Sequence, residues 1–170
     1  MRVVYHLDTD DLKKIPEEAR WAESLGYDGV AAAETGHDPF FPLLMAAGAT
    51  SQVTLETRVA MAFPRSPMVV AYAAMDLHNY SNGRFRLGLG TQVKGHNERR
   101  FSVKWVSPGP RLREYVQSLH AIWDNWQEGK KLDFQGQFYN FNLMTPFFSP
   151  GAGSAGTPPV FISALNPYNC

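Results

Sequence analysis

The feature that most constrains this chain is a rhythm in which short apolar runs alternate with stretches of helical spacing. Val3 to Leu7 reads as a first strand. After it, Pro16 stands where a helix start tolerates it, and Glu17 and Glu18 stand where the helix dipole favours acids. Ile15, Ala19, Ala22 and Leu25 recur at three- and four-residue spacing, and Gly26 suits the position just past the helix end. Asp28 to Ala33 reads as a buried strand ending at Glu34, followed by a short helix over Phe41 to Ala49. Thr54 to Phe63 is a third strand, stopped by Pro64, and Met68 to Tyr80 is a helix opened by Pro67. Asn82-Gly83 is a turn, since both residues tolerate positive φ. Arg84 to Gly90 is a fourth strand. Arg111 to Trp126 is the clearest helix, with Leu112, Tyr115, Val116, Leu119, Ile122, Trp123 and Trp126 along one side. Strands alternating with helices predict an α/β protein, a parallel sheet with helices outside it.

The segment 131–150 breaks the rhythm. Leu132, Phe134, Phe138 and Phe141, with Gly136 among them, predict a small inserted hairpin. Gly151 to Gly156 is a connector without periodicity, and Pro158 to Leu165 is a fifth strand. A complete eight-unit barrel takes about 250 residues. Four to five units in 170 residues therefore predict one domain, 1–170, that is about half of a (β/α) barrel truncated at its C-terminus. An open doubly wound sheet of five strands is the structural alternative.

Formal net charge is zero, so no long-range field draws the chain to nucleic acid or to an anionic membrane. The one cysteine, Cys170, rules out an internal disulfide. No apolar run approaches the roughly 20 residues that span a bilayer. The start has no signal-peptide layout, and the expectation is a cytoplasmic protein. No His and Cys stand at metal-ligand spacing, and there is neither a nucleophile elbow nor a phosphate-cradling Gly-Lys-Ser/Thr loop.

In parallel α/β folds ligands sit beyond the carboxyl ends of the strands, so chemistry is sought there. The second strand ends in Glu34-Thr35-Gly36-His37-Asp38-Pro39-Phe40, where Glu34 and His37 are placed to orient a substrate or move a proton. The plainer reading makes Asp38 a helix cap and leaves His37 merely exposed. The third strand ends in Ala62-Phe63-Pro64-Arg65-Ser66-Pro67, where Arg65 is placed to meet an anionic group, although by itself it reads as an ordinary surface residue. The fourth ends in Gly88-Leu89-Gly90-Thr91-Gln92-Val93-Lys94-Gly95-His96-Asn97. Its glycines would permit close backbone approach to a flat ligand, and Thr91, Gln92 and Asn97 supply neutral hydrogen-bonding groups. Val93 stands where a dinucleotide fingerprint needs its third glycine.

Together these strand ends resemble the luciferase-like monooxygenase family, and more narrowly its deazaflavin (F420)-dependent oxidoreductase branch. Gly26-Tyr27-Asp28-Gly29, Gly83-Arg84-Phe85, Arg111-Leu112-Arg113-Glu114-Tyr115-Val116, Ala121-Ile122-Trp123 and Leu143-Met144-Thr145-Pro146-Phe147-Phe148 match as well, in order and over nearly the whole chain. The resemblance implies a partial TIM-type barrel with an isoalloxazine-type ring in its mouth. It implies a non-proline cis peptide near Ala62-Phe63, and ring or side-chain contacts from Ala62, Phe63, Gly90, Thr91, Gln92 and Asn97. Ser163 and Ala164 would approach the cofactor tail, and His37 and Glu34 would face the reacting carbon. The implied function is hydride transfer between coenzyme F420 and a small organic substrate. An FMN-dependent monooxygenase is the rival within the family. A rival of another class is a non-catalytic half-barrel remnant acting through association, as a homo-oligomer or by its exposed sheet edges.

Overall fold

The computed structural model describes residues 1–164, so the last residue of the expected fifth strand, Leu165, and Cys170 lie outside the described residues. Strands β1 (Val4–His6), β2 (Gly29–Ala32), β3 (Thr54–Thr57), β4 (Ala60–Met61) and β5 (Phe85–Gly90) alternate with helices α1 (Ile15–Ser24), α2 (Phe40–Ala49) and α3 (Pro67–Tyr80). A short helix α4 (Lys94–Arg99), a long helix α5 (Pro108–Glu128), a hairpin of β6 (Phe134–Gln135) and β7 (Asn140–Phe141), and a last strand β8 (Val160–Ile162) complete the fold. Every pairing in the main sheet is parallel, in the order β1-β2-β3-β5-β8, with β4 continuing β3 alongside β5. This is the α/β architecture with covering helices, and the hairpin pairs antiparallel as expected. Among the described residues β1 and β8 are outer strands, and no pairing closes the sheet on itself.

Strand alternation sends Val30, Leu55, Phe85 and Leu87 to the helix side, where all four are fully buried. Helices α2 and α3 pack on that side of β2, β3 and β5, and helix α5 packs on α3, bringing Leu112, Tyr115, Leu119, Ile122, Trp123 and Trp126 into the same core. Each such side chain contributes about 1.5–3 kcal/mol when fully buried, so this stripe holds the helix on the common core. Trp123 Nε1 donates to the carbonyl of Ala71 at 3.3 Å and ties α5 to α3. The helix stops at Gly129, whose φ of 67° suits a residue without a Cβ. Asn82 and Gly83 both adopt positive φ, as their turn required.

Two features depart from the expected layout. The third strand is two strands rather than one. Glu56 pairs with Arg86 and Ala60 with Leu89, so four steps along the third strand match three along β5. The extra residue is a bulge, and it reverses which side chains face which side. The non-proline cis peptide lies at Arg58-Val59, inside this bulge, not near Ala62-Phe63. The second departure is α4, in a stretch expected to be loop.

Candidate active site

The carboxyl ends of β2, β4, β5 and β8 open on one rim, and hydrogen bonds stitch them together. Ala62 N donates to Gly90 O at 2.9 Å, Ser163 N to Leu89 O at 2.9 Å, and Arg100 Nη2 reaches back from the end of α4 to Thr35 O at 2.6 Å. Ala62, Gly90 and Ser163 are thereby neighbours across three strands.

The most highly bonded group at this rim is a three-residue clamp. Arg65 Nη1 donates to both oxygens of Glu34, at 2.8 and 2.7 Å, and Nη2 donates to Asp38 Oδ2 at 2.6 Å. The amide of Met61 donates to Glu34 Oε2 at 2.7 Å, and Asp38 Oδ1 accepts from Phe40 N at 2.8 Å at the start of α2. Arg65 is only 19% exposed and Glu34 7%, so Arg65 is not the surface residue its loop position suggested. Burial works against the guanidinium charge, but the hydrogen bonds to Glu34 and Asp38 outweigh it and hold its pKa above the ordinary value. The signal in the sequence was two acids four apart at one strand exit, with an arginine at the next. Nothing local says that they meet.

His37 stands apart from the clamp. It is about half exposed, and its Nε2 lies 3.7 Å from Oδ1 of the exposed Asp10 at the β1 exit.

The β5 exit is organised by Asn97, which is fully buried. Its Nδ2 donates to Thr91 O at 2.9 Å and to Val93 O at 3.1 Å, folding the loop around it. Two carbonyls fix the orientation of the amide, which leaves Oδ1 buried without a donor. Gln92 takes φ of 57° and turns its own Oε1 onto Val93 N at 2.8 Å, while Thr91 Oγ1 donates to Gln92 O at 3.0 Å.

The glycines of β5 have a packing reason of their own. A Cβ on Gly88 would strike the ring of Phe161 and the carbonyl of Thr57, and one on Gly90 would meet Val59 Cγ2 at 2.7 Å. They make room for the neighbouring strand and the bulge. Ala62 and Phe63 are buried, Phe63 with its ring under Arg111 at 4.3 Å and edge-on to Trp105 at 6.1 Å. Only their backbone is left for the rim. Ser163 is half-buried and Ala164 exposed at the end of β8.

Behind the rim, Arg111 Nε donates to Tyr139 Oη at 3.0 Å, which pins the hairpin to α5. Glu114 completes the joint by accepting from the amides of Gln137, Phe138 and Tyr139 at 2.9, 2.7 and 2.6 Å. Tyr115, between them, is pushed well above the usual phenol range by burial. Among the described residues no three of His, Cys, Asp and Glu gather as metal ligands, and no helix is long and apolar enough to cross a membrane.

A family model described as luciferase-like monooxygenase matches residues 2–170. An uncharacterised protein of Mycobacterium tuberculosis, Rv1360, is 48% identical over 156 residues, covering 92% of this chain and 46% of that protein. A putative coenzyme F420-dependent oxidoreductase of the same organism, Rv3520c, is 35% identical over 103 residues, covering 60% of this chain and 30% of its own length. Among solved structures, riboflavin lyase with modified FMN and riboflavin superposes with a TM-score of 0.82 at 15% identity, covering 99% of this chain and 51% of its own. The chain thus spans about half the length of the relatives it matches.

Proposed function

This chain belongs to the luciferase-like monooxygenase family, and from that premise we propose that it supplies one half of a (β/α)-barrel oxidoreductase whose mouth takes a deazaflavin coenzyme of the F420 type. When bound, that coenzyme supplies a ring carbon that exchanges a hydride with a small organic substrate. The observation that carries the reading is the β5 exit, where Asn97 Oδ1 is buried without a donor beside Thr91 and Gln92. A buried acceptor is costly unless something donates to it, and a ring edge bearing N–H groups fits. The similarity to a putative F420-dependent relative supports the deazaflavin.

Each residue then has a role. Thr91, Gln92 and Asn97 hold the ring edge without a charge penalty, and Gly90 brings its backbone to the same place with Ala62 and Phe63 beside it. Ser163 and Ala164 meet the tail. Glu34, whose oxygens are taken up by Arg65 and Met61 N, orients the β2 loop rather than moving a proton itself. His37 Nε2, exposed on that loop, is the group free to hand a proton to a substrate oxygen or receive one from it. The second reading, an FMN-dependent monooxygenase, is favoured by the family's own description. A fluorescence titration of the chain with F420, and with FMN in parallel, tests both. Saturable binding selective for F420 is expected. Selective FMN binding would replace the first reading with the second, and binding of neither would leave a half-barrel that acts through association.

A further inference from the structure

The β2 loop is fixed at its ends and open in its middle. Arg65 holds Glu34 and Asp38, while Thr35, Gly36 and His37 between them are exposed. A Cβ on Gly36 would meet nothing within 4 Å, so no packing steadies that point of the loop. Among the described residues one hydrogen bond reaches the stretch from another element, from Arg100 Nη2 to Thr35 O at 2.6 Å. Its acceptor is a backbone carbonyl, so the contact is separate from the acids of the clamp. Its donor is anchored at the β5 exit. Arg100 caps α4, with its amide donating to His96 O at 3.0 Å and its guanidinium carbon 4.8 Å from the centre of the Phe101 ring. Asn97 stands one turn earlier, and its own carbonyl accepts from Val103 N at 2.8 Å. Arginine suits such a bridge, because its planar fork stacks on an aromatic face while it donates from its edge.

We infer that Arg100 is a positioning residue, which ties the loop carrying His37 to the loop that Asn97 organises. The inference rests on the reading proposed above, in which the β5 exit takes the ring and His37 carries the proton. Proton transfer needs heavy atoms within about 2.6–3.2 Å of each other. A misplacement of about 1 Å can lower a rate by about a hundredfold. The clamp fixes where the β2 loop leaves and re-enters the fold, but three residues lie between those points, about 10 Å of extended chain. That is slack enough to carry the imidazole out of reach. Arg100 takes up the slack by bonding the loop at Thr35, two residues before His37, to the end of the helix that holds Asn97. Ring site and imidazole then share one frame.

Nitrogen-15 relaxation on the full 170-residue chain tests this through the backbone order parameters of Thr35, Gly36 and His37. Values near the rigid level of about 0.85 are expected in the wild type, and values below about 0.6 in Arg100→Gln. Arg99→Gln, which removes the same charge one position away, should leave the loop ordered. Titration with F420 gives the second readout. The shift of the His37 ring resonances on binding should be lost in Arg100→Gln although the affinity for F420 is kept, a separation that general loosening of the fold would not produce. A loop as ordered in Arg100→Gln as in the wild type overturns the inference, as does equal loosening by Arg99→Gln or an undiminished His37 shift. Should the wild-type chain bind no F420, the functional reading fails on its own, and the order parameters still decide whether Arg100 holds the loop. Should Arg100→Gln unfold, Arg100→Lys, which keeps one donor, is measured in its place with an intermediate loss of order expected and wild-type order overturning the inference.

Discussion

At the β2 and β4 exits, Glu34, Arg65 and Asp38 satisfy one another, whereas at the β5 exit Asn97 spends both hydrogens on its own loop and keeps Oδ1 without a donor. The first region is closed chemistry. Its charges are paired with one another, and its product is a fixed loop geometry. The second is equally well ordered by internal bonds, yet it keeps a buried acceptor without a donor. In the proposed reading the ring binds at the β5 exit and the substrate meets the β2 loop that the clamp holds still.

The largest expected effect comes from breaking the clamp. Arg65→Ala strands the buried Glu34 beside Asp38, and losing one partner of a buried pair costs about 3–5 kcal/mol. Urea unfolding should show it as a lower midpoint with the slope unchanged, and a loss under 1 kcal/mol would mean that the clamp is not holding the exits.

Acid tests the carboxylates that anchor the same sheet without belonging to the clamp. Burial pushes the Glu23 pKa up, but amides of Gln52, Ser51 and Val53 at 2.7, 2.9 and 3.1 Å bring it below the ordinary value. Burial likewise opposes Glu56, and the hydrogen bonds from Arg58 and Thr54 with the charges of Arg58 and Arg2 bring it down. A depressed carboxylate adds stability above its unfolded pKa of about 4.3, and that stability drains away as the pH falls through the lower folded value. Melting temperature should therefore hold from neutral pH to about 5 and fall below about 4. Glu23→Gln should cost about 2 kcal/mol at neutral pH, by loss of charge-assisted bonds, and should flatten the acid limb. An unchanged limb would assign the acid loss elsewhere.

Asn97→Ala should cost about 1–2 kcal/mol, because the carbonyls of Thr91 and Val93 lose their donor. It should weaken ring binding more than Arg65→Lys does, and equal weakening would erase the distinction between the two sides. The smallest effect on folding belongs to His37→Ala, within about 0.5 kcal/mol as for other exposed sites. In a full-length relative carrying the same loop it should lower turnover with little loss of coenzyme affinity. Unchanged turnover would return His37 to a solvent-exposed residue.

The elements of the fold were legible in the sequence wherever burial on one side imposes a period on a single segment. That is why α5, with its stripe from Leu112 to Trp126, and the strand–helix alternation could be read directly. The rim was legible in its residues, since the exits named Glu34, His37, Thr91, Gln92 and Asn97, but not in their partners. Arg65 meets Glu34 across 31 positions and Asp38 across 27, and no local period carries such a pairing. The bulge at Arg58-Val59 exists only as a mismatch of register between two strands, so its position, and with it the reason for Gly90, was settled by β5 lying alongside. What the sequence by itself determined was which segments bury a face. Which charges cancel, which glycines yield to a neighbour and which acceptor is left open were decided by tertiary contact, because each depends on two distant segments arriving at one place.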